Sequence, residues 1–324
     1  MAAPMTILPK RAAGAPPSLA LGTMNFGKRT PAAESERIVR RALERGIRVF
    51  DTANAYNAGE SERILGRALG RDRANAIVAT KVGFDRIAGK PEGLSSAAIA
   101  RAIDASLARL GTDHVDLYYL HVPDHATPIE DSLDGMADAL RSGKTGNWGV
   151  SNYASWQILE MRGLAPARGL PEPAASQVLY NPLHRQLDVE YFAFVRRYPL
   201  HTTVYNPLAG GLLSGIHRYE KGPDKGSRFD ENALYTRRYW TRAMFERVEE
   251  LRVVAASEGL TMVQLAYAWV ASRPDVDSIL VGPGTVQHLD DAIDAVGRAL
   301  SKAALERIDE LHRTWSGTDT NYVR

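Results

Sequence analysis

The chain contains no cysteine. Disulfides, zinc–thiolate centres and cysteine nucleophiles are therefore excluded, and any acid–base chemistry must come from other side chains. Charge of one sign is missing too: 40 Lys and Arg face 38 Asp and Glu, a net of +2 over 324 residues. That balance offers no electrostatic footprint for nucleic acid or an anionic membrane, and neither is expected as a partner. No stretch approaches the roughly 20 apolar residues of a membrane span. Lys10 and Arg11 are not followed by the apolar region of a secretory signal, so a cytoplasmic protein is expected. A glycine-rich nucleotide fingerprint is also lacking. Gly22-Thr23-Met24-Asn25-Phe26-Gly27 follows the first strand-like run without the required spacing, which argues against a doubly wound dinucleotide fold.

What is present is alternation. With 44% hydrophobic residues the chain can fill a large core. Strand-like runs occur at Leu19–Leu21, Val49–Ala53, Ala76–Val82, Val115–His121, Gly146–Ser151, Ser176–Tyr180, Thr202–Tyr205 and Ser278–Val281, with helical patterns between them. Thr30-Pro31 reads as a helix start and Gly46 as its stop. Ser95 opens a helix carrying Ile99, Ile103, Leu107 and Leu110. Thr127-Pro128-Ile129-Glu130 reads as a capping box. Eight strands alternating with helices predict an α/β fold, a (β/α)8 barrel in one domain spanning 1–324. Two additions are expected: a long loop from Ala209 to Trp240 after strand seven that folds over the site, and a C-terminal tail over the same site. The Pro-rich segment Ala2 to Ser18 reads as a flexible arm.

Four residue types stand at or just past strand ends: Asp51, Tyr56, Lys81 and His121. A lone Asp or Lys at such a place is usually a solvated loop residue. Four on three consecutive strands are not, because in a parallel barrel they meet at one rim. An acid, a phenol, an amine and an imidazole gathered there form machinery for moving a proton. A phenol is a poor acid at its reference pKa of about 10, and a nearby ammonium is expected to lower that value. Met24, Phe26, Phe84 and Tyr153 fall on rim loops and are candidates to line a pocket. Asn181 and Arg185 read as loop braces, and Trp148 and Trp269 as packing residues. His125, His184, His201 and His312 lack metal-ligand spacing.

With the tetrad in place, the ordered motifs resemble the aldo-keto reductase family over essentially the full length. They are Asp51-x4-Tyr56, Gly59-Glu60-Ser61-Glu62, Lys81, Leu120-His121, Gly149-Val150-Ser151-Asn152, Gln177-Val178-Leu179-Tyr180-Asn181 and Tyr205-Asn206-Pro207-Leu208-Ala209-Gly210-Gly211-Leu212. His121-Val122-Pro123-Asp124-His125, Ser151-Asn152-Tyr153-Ala154-Ser155-Trp156, Arg228-Phe229, Arg238-Tyr239-Trp240 and Asn321-Tyr322-Val323-Arg324 are similar to the aflatoxin-aldehyde and succinic-semialdehyde reductase branch. The resemblance implies NADPH, with NADH as the alternative, and hydride transfer to an aldehyde or ketone. It makes Tyr56 the proton donor, Lys81 and Asp51 the groups that tune it, and His121 the group that orients the carbonyl. It implies that Ser151, Asn152 and Gln177 hold the carboxamide and that Tyr205 stacks on the nicotinamide. Thr23, Met24, Asp51, Asn206, Pro207 and Leu208 join the cofactor site by the same token. So do Ala209, Gly210, Leu212, Arg228, Gly282, Gly284, His288 and Asp291. Met24, Tyr56, His121, Arg238 and Arg324 are the implied substrate contacts.

Departures from the family pattern cluster at the phosphate and adenine end. Ile216 stands where a basic residue is common, and Gly284, His288 and Ala292 replace Arg, Gln and Asn. Arg228 is retained, which favours a 2′-phosphate and hence NADPH, with NADH or dual use open. Three other readings compete: a non-catalytic subunit on the same fold, as in potassium-channel β subunits; an NAD-dependent sugar or alcohol dehydrogenase; and a metal-dependent barrel hydrolase built on Asp51 and His121. A monomer or homodimer is expected.

Overall fold

Eight parallel strands close into one barrel in the computed structural model, which describes residues 7–87, 89–318 and 320–322. They are β1 (Ser18–Gly22), β2 (Val49–Asp51), β3 (Ile77–Val82), β4 (Leu117–Leu120), β5 (Trp148–Ser151), β6 (Ala175–Leu179), β7 (His201–Tyr205) and β8 (Ser278–Val281). Each pairs with its sequence neighbour, and β1 also pairs with β8 to close the ring. The helices that return the chain are α1 (Ala32–Glu44), α2 (Glu60–Leu69), α3 (Ser96–Leu110), α4 (Ile129–Arg141), α5 (Ser155–Leu164) and α6 (Tyr191–Arg197). The later ones are α7 (Ala233–Tyr239), α8 (Arg242–Ser257), α9 (Met262–Ala271), α10 (Val286–Val296) and α11 (Lys302–Ser316). No single helix among the described residues is long and apolar enough to cross a membrane.

The two-residue period of a strand explains how the site is mounted. Val49, Ala79, Leu117, Tyr119 and Ala175 form an apolar layer inside the barrel. Two residues further along the same strands come Asp51, Lys81, His121 and Gln177, so these point inward as well, directly above that layer. Gly149 on β5 makes room for it: a Cβ there would lie 2.7 Å from the Tyr119 ring. Between strands and helices sits the main core, which buries Phe50, Tyr118, Trp148, Ile158 and Trp269 completely.

The described part of the N-terminal segment is no loose arm, and Ala2 to Thr6 lie outside the described residues. From residue 7 onward it plugs the bottom of the barrel, with Leu8 buried against Ala79, Leu117 and Tyr119. Lys10 Nζ pairs with Asp277 Oδ2 at 2.8 Å and the Arg11 amide donates to Oδ1 at 2.7 Å. The Arg11 guanidinium reaches the carbonyls of Ala271 and Arg273, both at 3.0 Å. Prolines that disfavour helix here shape a plug whose Pro9 carbonyl also meets His201 Nδ1 at 2.8 Å.

Two helix starts also differ from expectation. Thr30 donates to the carbonyl of Gly284 at 3.3 Å instead of capping α1, and Thr127 donates to Asp124 at 2.6 Å instead of capping α4. In both, the proline itself stands at the N-cap with an extended ψ (154° at Pro31, 136° at Pro128), and the hydroxyl before it fastens a rim loop. Ser95 caps α3 as the sequence suggests. A short antiparallel hairpin, Arg86–Ile87 with Lys90–Pro91, was not anticipated and lies between β3 and α3.

Candidate active site

At the C-terminal rim a cavity of about 340 Å³ opens, lined by residues from Gly22 to Gly282. Buried Lys81 donates from Nζ to Asp51 Oδ1 and to the Thr52 carbonyl at 2.8 Å. The other oxygen of Asp51 accepts from Gln177 Nε2 at 2.8 Å. Tyr56 stands half-buried beside this pair, with the Lys81 ammonium 5.2 Å from its ring centre. Its ring meets the edge of His121 at 5.8 Å and 79°. Phe84 covers His121 from the other side at 5.1 Å. Asp51, Tyr56 and His121 therefore line one cavity, with Lys81 buried beneath them and held by Asp51.

The electrostatics differ from the sequence argument in one respect. The Tyr56 hydroxyl is held well above its ordinary value of 10, mainly by burial and then by the Asp51 carboxylate. The expected lowering by Lys81 is outweighed by burial, the largest cause of the shift. The phenol is thus kept in its protonated, donating form. Burial also lowers Lys81, against the pull of Asp51, and holds His121 well below 6.5, with Lys81 repelling a second proton. His121 is a neutral imidazole whose Nδ1 has no hydrogen-bond partner among the described residues. The buried Thr52 hydroxyl is unpartnered as well.

The polar ends of β5 to β7 make a second cluster. Ser151 donates to the Gln177 carbonyl at 2.9 Å. Asn152, held at φ +65, donates to the His121 carbonyl at 2.9 Å and accepts from the Tyr205 hydroxyl at 2.7 Å. Tyr205 is pushed up to about 12 by burial, with the Arg238 cation pulling it back. Thr23 is fastened to the Asp51 carbonyl at 3.1 Å and accepts from Ser61, which gives the Gly-Glu-Ser-Glu motif its job.

The loop after β7 does fold over the cavity, bringing Arg228, Leu234, Tyr235 and Arg238 to its wall. Arg228 donates to Met24 Sδ at 2.9 Å and to Asn25 Oδ1 at 2.6 Å. Arg238 lies 5.8 Å from the Tyr235 ring centre and 6.0 Å from that of Tyr239. Neither cation makes an ion pair with a carboxylate among the described residues.

Several sequence-derived positions do not line the cavity. Ala209 and Leu212 are buried behind it. Gly284, His288 and Asp291 stand at the start of α10, outside the lining. Phe26 and Tyr153 are packed into the core, whereas Met24 and Phe84 do face the cavity. Arg324 lies outside the described residues, and none of the lining residues lies beyond Gly282. Asn181 and Arg185 brace loops as expected, Asn181 to the Asn206 carbonyl at 3.0 Å and Arg185 to Asp309 at 2.7 Å. Sequence reasoning missed Val122, Leu234, Tyr235, Tyr267 and Leu280. Buried Tyr267 on α9 reads in sequence as one more apolar helix position. Only its place behind β7 and β8 brings it to the cavity.

Comparison with known proteins agrees with this site. Residues 18–313 match the model of the aldo/keto reductase family. The chain is 33% identical to rat "Aflatoxin B1 aldehyde reductase member 2" over 98% of its length and 90% of that protein's. It is 31% identical to human "Aldo-keto reductase family 7 member A3", covering 92% of this chain and 94% of the other. It is also 31% identical to an Arabidopsis thaliana protein described as a "Probable voltage-gated potassium channel subunit beta", covering 89% and 90%. A closed parallel barrel, its rim cavity and a match across most of the chain agree: the protein belongs to the aldo/keto reductase family, whose chemistry is the oxidoreduction of aldehydes and ketones.

Proposed function

We propose that the protein reduces an aldehyde to an alcohol with NADPH as hydride donor. The observation that carries this reading is the buried Lys81–Asp51 pair set beside a protonated Tyr56 and a neutral His121, with Asp51, Tyr56 and His121 lining one cavity. Such an assembly is costly to bury and has no evident structural purpose. The cavity suits a nicotinamide dinucleotide. Gly282 presents open space on its wall, Tyr205 offers a ring, and Arg228 offers a guanidinium unmatched by carboxylate among the described residues. Ser151, Asn152, Gln177 and Tyr205 would hold the nicotinamide end, and Arg228 a phosphate. Bound there, the group supplies the hydride.

The protein's own part is to fix and charge-match the carbonyl. Tyr56 donates a hydrogen bond and then its proton to the carbonyl oxygen as negative charge develops there. His121, neutral, donates a second hydrogen bond from the opposite side, so the oxygen is held in one position. Lys81, anchored by Asp51 and the Thr52 carbonyl, stabilises the phenolate left behind. Phe84 and Leu234 keep the mouth apolar and limit water. The test is loss of nicotinamide absorbance on adding simple aldehydes, with NADPH and with NADH. A non-catalytic regulatory role is the second reading, favoured by the likeness to the channel-subunit protein. Nucleotide binding without aldehyde-dependent oxidation would support it.

NADPH is expected to bind more tightly than NADH, by a modest margin. Arg228 is positioned to meet a 2′-phosphate, whereas Ile216, Gly284 and Ala292 bring no charged donor. One charge-assisted hydrogen bond is worth roughly 1.5–3 kcal/mol, so a preference of about 10- to 100-fold is expected. Fluorescence titration with both nucleotides measures it, and equal affinities would remove Arg228 from that role.

A short aldehyde bearing a carboxylate is expected to be preferred over its neutral counterpart, because Arg238 lines the cavity with no acidic partner among the described residues. Replacing Arg238 by Leu should cut the kcat/KM ratio of the two substrates about tenfold. An unchanged ratio would leave Arg238 with no part in selection. Deleting Arg324 asks the same question of the C-terminal residue.

A further inference from the structure

One carboxylate near the rim touches no catalytic group and yet grips two of the segments that present them. Glu92, between the short hairpin and α3, accepts from Asn54 Nδ2 on Oε1 and from the Gly83 amide on Oε2, each at 2.7 Å. Asn54 precedes Tyr56 by two residues. Gly83 follows Lys81 by two and precedes Phe84, the ring that covers His121. We propose that Glu92 is a positioning residue for the reaction, clamping the Tyr56 loop to the end of β3.

The backbone shows why a clamp is needed. Past Asp51 the β2–β3 ladder is continued by only two bonds, Thr52 N–H to the Ala79 carbonyl at 2.9 Å and Asn54 N–H to the Lys81 carbonyl at 3.2 Å. The chain then turns sharply, with Asn57 and Ala58 at φ 52 and 53, a region that side-chain-bearing residues rarely adopt. Asn57 Nδ2 ties the far side of this turn to the carbonyls of Met24 and Phe26 at 3.1 and 2.7 Å. Tyr56 is therefore slung between two amide side chains, and Glu92 holds one of them. The Asn54 Oδ1 atom is already unpartnered, so without Glu92 its side chain keeps no hydrogen bond among the described residues. A shift of about 1 Å in a proton donor costs on the order of 10²-fold in rate.

The inference rests on Tyr56 being the proton donor, and reversing the polarity of the clamp tests both separately. Glu92→Leu removes both contacts. In Asn54→Asp two carboxylates face each other. In Asn54→Asp combined with Glu92→Gln the amide of E92Q donates to the carboxylate of N54D and its oxygen still accepts from Gly83. Glu92→Leu and Asn54→Asp are each expected to lower kcat about 10- to 100-fold with little change in aldehyde KM or nucleotide Kd. Glu92→Gln alone should stay near wild type, because its oxygen accepts from Gly83 and the Asn54 amide can turn its free Oδ1 to accept from the new Nε2. The double change should restore most of the N54D loss. The deuterium isotope effect on kcat should rise in E92L and N54D and fall back in the double, because a misplaced donor slows chemistry whereas partial unfolding only removes active enzyme. The proposal fails if E92L and N54D keep wild-type kcat, if the double is no better than N54D, or if activity falls with an unchanged isotope effect. Wild-type kcat in E92L beside a dead Tyr56→Phe overturns the clamp alone. A fully active Tyr56→Phe overturns the proton-donor reading and the clamp with it.

Discussion

Tyr56→Phe is expected to lower kcat about 10²- to 10⁴-fold while leaving nucleotide affinity nearly unchanged. The substitution removes one oxygen and keeps the ring that meets His121 edge-on at 5.8 Å, so the cavity wall stays in place. What disappears is the protonated phenol hydroxyl that stands beside His121. The raised Tyr56 value makes the result sharper. Because burial and Asp51 keep the phenol protonated, the donor is loaded throughout the neutral range. A rate-limiting loss of its proton should not appear until the pH exceeds about 10. His121 is a weak substitute: burial keeps it neutral, and Lys81 opposes its protonation. Its residual catalysis should therefore grow only as pH is lowered. Near-normal turnover in the Phe variant would show that the proton comes from elsewhere. Stopped-flow absorbance at several pH values reads both the loss and its pH dependence.

The barrel was legible because its signals are local and repetitive. Eight apolar runs with helical patterns between them leave few arrangements, and a strand period of two places Asp51, Lys81, His121 and Gln177 on the inner face together. The tetrad was legible for the same reason, as each member sits at or near a strand end. The N-terminal plug was not. Pro9, Pro16 and Pro17 look the same in a loose arm as in an extended segment fixed by Asp277 and His201, more than 190 residues away. The sign of the Tyr56 shift was also hidden, since a sequence shows that a lysine and a carboxylate are near but not that burial of the phenol outweighs them. Gly284, His288 and Asp291 stand outside the cavity lining, while Tyr267 reaches it from behind the sheet by packing that no pattern announces.

Lys81→Met is expected to be the most destabilising single change in the site as well as an inactivating one. The ammonium has no exposure to solvent, and its whole environment is the Asp51 carboxylate, the Thr52 carbonyl and the rings of Tyr56 and Tyr119. Met fills a similar volume, so packing is nearly conserved and the change isolates the charge. Asp51 is then left buried with a single side-chain donor, Gln177. Breaking one side of a buried ion pair typically costs about 3–5 kcal/mol, because the remaining charge is neither solvated nor matched. Removing both charges relieves that penalty. Asp51→Asn combined with Lys81→Met should therefore be more stable than Lys81→Met alone, although equally inactive. Urea unfolding of the two variants and the wild type gives the three values needed, with the slope checked for constancy. Burial lowers the Lys81 value, and a lysine already neutral in the folded protein would make the pair an ordinary hydrogen bond. In that case Lys81→Met would cost only about 1–3 kcal/mol, and the double variant would show no recovery. A large single-variant loss with recovery in the double shows that the protein stores a full charge pair beneath Tyr56, the arrangement needed to stabilise the phenolate once its proton has gone.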